Sequence, residues 1–141
     1  MLNKIINQQG QKAYQRGNDR EDRSLVYRDW LRRIETNGFW CDLDFVKWKY
    51  KDGQLQPVAV TDLTRTDSDN VSSGYLFAII QRVLYRDKQG AMLQKIGELL
   101  NIPVFLVLYP KSMGWIKTYF FKEGEWKHFS LKEWSNFLTT L

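Results

Sequence analysis

The sequence holds one cysteine, Cys41, and one histidine, His128, among 141 residues. That scarcity excludes an internal disulfide and a Cys-Cys redox pair, and it leaves too few soft ligands for a Cys/His zinc centre. A Cys41–His128 nucleophile pair is the thiol chemistry left open. A single thiol in an apolar strand is more often a small buried residue, and His128, in GEWKHF, reads as an ordinary strand residue. No run reaches the roughly 20 apolar residues that span a bilayer. The opening MLNKIINQQGQK lacks a signal-like apolar core, so the expectation is a cytoplasmic protein with no membrane partner. Internal repeats, low-complexity tracts and Pro/Gly-rich linkers are missing too, which points to one domain over residues 1–141 with a loosely ordered arm over 1–22.

What is present suits a globular chain: 43% hydrophobic and 26% charged residues. Lys and Arg outnumber Asp and Glu by 21 to 16, a net charge of +5 that is compatible with a polyanionic partner. Arginines crowd residues 16–33, but acidic residues alternate with them, as on a solvated, self-paired helix face.

Ser24 is a candidate N-cap for a first helix whose apolar side is Leu25, Trp30, Leu31 and Ile34, and Asn37-Gly38 is its stop signal. Two β-rich runs, WCDLDFVKWKY and QLQPVAVTDLTR, flank Asp52-Gly53, a strong hairpin signal. RTDSDNVSS reads as a loop. The stretch from Gly74 to Asn101 is helical, with Gly90 a candidate break, and IPVFLVLYP suits a central strand covered on both faces. WIKTYFFKEGEWKHF is a second hairpin turning at Glu123-Gly124, and Ser130 and Glu133 stand in capping-box spacing before a last helix. The order is α-β-β-α-β-β-β-α, a mixed β-sheet flanked by helices of the α/β or α+β class.

The two strands of the first hairpin carry carboxylates where a sheet normally buries valine. By alternation Asp42, Asp44, Val46, Trp48 and Tyr50 share one side of the first strand, and Val58, Val60, Asp62 and Thr64 one side of the second. Folding the hairpin can bring Asp44 and Asp62 onto one face, where two partly buried carboxylates repel unless a proton or cation sits between them. A hard divalent metal such as Mg²⁺ fits, with the Leu63 carbonyl as a further oxygen donor. The alternative is that these aspartates close strand ends and pair with arginines.

CDLDFVKWKYKDGQLQPVAVTDLT, a helix, and then IPVFLVLYP resemble, over roughly residues 24–110, the core of the PD-(D/E)xK nuclease superfamily. The resemblance implies a restriction-endonuclease-like fold and a Mg²⁺- or Mn²⁺-dependent endonuclease or exonuclease that hydrolyses DNA phosphodiester bonds. It places Asp44 as the first metal-binding aspartate and Asp62 as the acid that opens the second motif. Gln81 to Tyr85 resembles the Q-x-x-x-Y signature of the RecB-like branch, whose glutamine and tyrosine lie near DNA and metal. The family's motif lysine is replaced by Thr64, a hydroxyl without charge. Arg65 is adjacent but alternates to the opposite face unless a bulge re-aims it, which leaves Arg82, Lys88 and Lys95 as cations from the helix.

The helical period puts Met92, Leu93, Ile96, Leu99 and Leu100 on the buried side, together with Gln89 and, if the helix runs on past Gly90, Gln81 and Tyr85; Gln94 points away. The expected substrate contacts are Tyr85, Gln89, Arg65 and Arg82, and Glu35 is a candidate to orient a metal-bound water. Trp48, Tyr50, Trp115, Tyr119 and Trp126 are either core or surfaces on which splayed bases stack. Two other functions compete with the nuclease: an inactive nucleic-acid-binding module of the same fold, and an interaction or regulatory subunit working through the aromatic hairpin, whose edge could support a homodimer.

Overall fold

Asp52 and Gly53 both take positive φ, 52° and 77°, and close Lys51 against Gln54 in the two-residue turn that the Asp-Gly pair predicts. The strands so joined are β1, Phe45–Lys51, and β2, Gln54–Thr66. The computed structural model describes residues 17–34 and 43–141. The chain divides into two compact units, Met1–Trp40 and Cys41–Leu141.

The described part of the first unit is helix α1, Gly17–Ile34. It starts seven residues ahead of Ser24, the expected cap. Arg32 donates to Asp29 at 2.8 Å, one instance of the expected self-pairing, while Leu25, Trp30 and Ile34 are exposed. Cys41, Asp42, Glu35, the Asn37-Gly38 stop signal and residues 1–16 of the expected arm lie outside the described residues.

In the second unit, β1 and β2 are followed by α2, Ser73–Gln81; a π-helical turn, Arg82–Arg86; and α3, Gln89–Leu100. Then come β3, Val104–Pro110; β4, Ile116–Phe120; β5, Glu125–Phe129; and α4, Leu131–Leu138. The strands form one mixed sheet in the order β1-β2-β3-β4-β5. β2 and β3 are parallel, the crossover between them being α2 and α3, and the other pairs are antiparallel. The chain is therefore an α+β protein in the element order read from the sequence. The apolar run at β3 lies at the centre of the sheet and is buried along its whole length except at Tyr109. The capping box also forms: Ser130 N–H donates to Glu133 Oε1 at 2.8 Å and Glu133 N–H to Ser130 Oγ at 3.1 Å.

Each face of the sheet has its own core. Val60, Leu106 and Leu108 meet Ile79, Ile80, Val83 and Leu93 from α2, the π turn and α3. On the other face Ala59, Phe105, Val107 and Ile116 meet Trp134 and Phe137 of α4, and aromatic rings dominate.

The long helical stretch breaks two residues before Gly90. Asp87 and Lys88 end the π turn, and Lys88 has φ 61°. Gly90 instead lies inside the first turn of α3, where an added Cβ would stand 2.8 Å from both Leu84 Cδ2 and Val83 Cγ1 and 3.1 Å from the Val83 carbonyl oxygen. The missing side chain lets α3 fold back against the π turn. Gly90→Ala is predicted to cost about 1–3 kcal/mol by overpacking, seen as a drop of several degrees in the thermal midpoint by circular dichroism. Gly74→Ala, whose Cβ would meet nothing closer than 3.8 Å, should leave the midpoint within a degree or so of wild type or raise it slightly.

Candidate functional site

The β1–β2 ladder does not keep one register. Lys51 pairs with Gln54 and Trp48 with Pro57, but Lys47 pairs with Ala59, so Val58 is an extra residue on β2 and forms a β-bulge. Beyond it the pairs are Val46 with Val60 and Phe45 with Thr61. One step further the same register sets Asp44 opposite Asp62. Without the bulge, Asp44 would face Thr61, and the two carboxylates would lie on opposite faces of the sheet.

Asp62 is 8% exposed, on the face of β2 covered by the helices. Asp44, just before β1, is exposed, and its Oδ2 accepts the Leu63 N–H at 2.9 Å. The Asp44 carboxyl is near enough to Asp62 to act on it by hydrogen bonding and charge, and two carboxyl groups so placed are relieved by a shared proton or a cation. Burial, then the hydrogen bond and the negative charge of Asp44, push Asp62 up to about 7, while the Leu63 N–H and the Arg82 guanidinium pull the other way. Gln89 Nε2 donates to Asp62 Oδ1 at 3.3 Å. Its amide is the helix-borne support that the period of α3 predicts.

The remaining candidates divide. Arg82, half-buried on the π turn, is the helix cation whose charge reaches Asp62. Lys95 faces Glu98 at 3.9 Å and Lys88 is exposed. Asp87, which the sequence reading passed over, lies 3.7 Å from Arg82 Nε and hydrogen-bonds the Arg82 carbonyl through its N–H at 2.8 Å, so it helps set where the guanidinium points. Its signal is the RVLYRD segment, which ends the helix with an acid beside two arginines. Thr64 is half-buried two residues beyond Asp62 on the same face. Arg65 alternates to the other face, exposed and 3.5 Å from Asp67, since the bulge is at Val58 and not beside it.

Gln81, the last residue of α2, is exposed, and Tyr85 is 69% exposed beside Tyr119. The phase that grouped them with Gln89 assumed an uninterrupted α-helix, and the π turn and Lys88 break that phase. His128 is exposed on β5, and its proposed partner Cys41 lies outside the described residues.

Asp44 and Asp62 supply hard oxygen donors of the kind that Mg²⁺ or Mn²⁺ takes together with waters and substrate oxygens. A divalent ion there would replace the shared proton, so the residues fit such a group. Among the described residues no third His, Cys, Asp or Glu joins them. Compared with known proteins, the chain shows no significant match to a family model, a curated protein or a solved structure.

Asp62 gives the site a pH signature. In the unfolded chain it ionises near 4 and in the folded chain near 7. Between these values the unfolded state has lost a proton that the folded state keeps, so this group's stabilising contribution, complete below pH 4, is lost as pH rises through 7. Asp62→Asn removes that loss. Its thermal midpoint should exceed that of wild type by several degrees at pH 8, and the gap should shrink toward zero at pH 4. A gap independent of pH would contradict the assignment.

Proposed function

We propose that this protein is a metal-dependent nuclease that hydrolyses phosphodiester bonds in DNA. The observation that carries the reading is the convergence of Asp44, just before β1, and Asp62, on β2, at one half-covered position where burial and the neighbouring carboxyl raise the proton affinity of Asp62. An acid pair with one member buried, a helix amide donating to it and a guanidinium near enough to act on its charge, is costly to fold. That cost is the usual mark of a site kept for chemistry.

In this reading Asp44 and Asp62 hold Mg²⁺ or Mn²⁺, which when bound supplies a more acidic water and a positive charge for the phosphate oxygens. The Leu63 N–H fixes the Asp44 carboxylate and Gln89 fixes that of Asp62, so both present an oxygen without reorganising. Arg82 places its charge on the helix side of the pair and takes the electrostatic part of the motif lysine that Thr64 replaces. The uncharged Thr64 also favours a second reading, a module that binds nucleic acid without cutting it.

Labelled single- and double-stranded DNA incubated with Mg²⁺ or Mn²⁺ separates the two. Cutting that requires metal and disappears in Asp62→Ala supports the nuclease. Salt-sensitive binding without cutting supports the module, and neither result leaves an interaction subunit. Arg82→Ala is expected to lower the cleavage rate by about 100-fold, the usual cost of one missing charge-stabilising donor, with Arg82→Lys recovering part of it.

A further inference from the structure

The acid pair lies at one end of a row that crosses the whole sheet. Asp62 is in register with Leu106 on β3, Leu106 with Tyr119 on β4, and Tyr119 with Trp126 on β5. The next row ends in Lys117 and His128. Paired residues point to the same face, so Tyr119, Trp126, Lys117 and His128 share the face that carries Asp62, at roughly 5 Å per strand. Helix α3 covers this face over β2 and β3. Over β4 and β5 the main helix packing among the described residues comes from α4, on the opposite face.

The rings there are neither buried nor free. Trp115, Tyr119 and Trp126 are half-buried, with their inner sides against the core, and His128 is exposed. Tyr119 and Trp126 sit 5.5 Å apart and Trp115 and His128 6.2 Å apart. The Trp115 indole N–H donates to the Asp69 carbonyl at 2.8 Å, which holds that ring by its edge. Lys117 lies over Trp115, 5.6 Å from the ring centroid, and donates to His128 Nδ1 at 3.2 Å. Tyr85 rises beside Tyr119 from the π turn, with Arg86 next to it, 72% exposed at its side chain. β4 and β5 place no carboxylate on this face, since Glu125 alternates to the other.

Fixed aromatic planes with cations between them and no acid from the same strands on their face are what unpaired bases and their phosphates require. We propose that the β4–β5 face is a stacking platform for single-stranded nucleic acid, which delivers a strand to the Asp44–Asp62 site. The inference names the substrate class of the nuclease reading and rests on it for delivery, but binding to the platform needs no metal. A duplex keeps its bases stacked inside and can offer these rings only its ends.

The test is fluorescence anisotropy of a labelled oligo-dT of roughly 15 nucleotides with the full chain in EDTA, where cleavage cannot contribute. Tyr85→Ala and Trp126→Ala should each weaken binding by roughly 5- to 100-fold, the range for loss of one stacked base, while Trp126→Phe retains most of it and duplex of the same length competes poorly. Because Tyr85 is exposed, its removal cannot be dismissed as unfolding. Unchanged affinity in both alanine variants, no binding of the oligo-dT, or duplex binding as tight as single strand would overturn the platform. Cleavage by wild type with metal is measured separately: ring-dependent binding without cutting ends the nuclease reading alone, and cutting indifferent to both rings ends the platform alone.

Discussion

One inserted residue decides whether this molecule has a site. The bulge at Val58 shifts the β1–β2 ladder by a single position, and a single position changes which side of the sheet a side chain occupies. With it, Asp44 stands opposite Asp62; without it, one carboxylate would enter the core beneath α3 while the other pointed toward α4. Everything proposed about chemistry here follows from that shift, because two acids on opposite faces would have neither a shared proton nor a common ligand.

The parallel pairing of β2 with β3 then sets the electrostatic surroundings. A crossover must carry the chain from the end of β2 back to the start of β3, and it does so as α2, the π turn and α3. These helices close over Val60 and Leu106 and thereby bury Asp62, which raises its proton affinity. The π turn widens the helix where Arg82 and Tyr85 leave it, and Gly90 lets α3 return closely enough for Gln89 to reach Asp62. Among the described residues of this unit, α3 shields the β2–β3 half of the face, and over β4 and β5 Trp115, Tyr119 and Trp126 are only half-buried.

Much of this was legible in the chain. Asp52-Gly53 fixed the hairpin and its two-residue turn, the uninterrupted run IPVFLVLYP announced a strand buried on both faces, and Ser130 with Glu133 marked the last helix to the residue. The meeting of Asp44 and Asp62 was expected, but simple alternation counted back from the turn does not produce it; the bulge does. Pro57 was the available signal, because a residue without an N–H sits poorly inside a regular ladder and well beside a bulge. The phase that grouped Gln81 and Tyr85 with Gln89 fails for a related reason: hydrophobic period carries phase only through an unbroken helix, and neither Arg82–Arg86 as a π turn nor the positive φ of Lys88 leaves a trace in that period. The choice of Arg82 over Lys88 and Lys95 depended on tertiary geometry that no spacing rule contains.

The most direct test is an NMR titration of the aspartate carboxyl carbons in wild type and in Asp44→Asn. If the two side chains meet, Asp62 titrates near 7 in wild type. In the variant its midpoint falls but stays above the ordinary carboxylate range, because burial, the larger cause, remains. An Asp62 that titrates near 4 and ignores the loss of Asp44 would mean that the carboxyl groups do not share a position, and the site described would not exist.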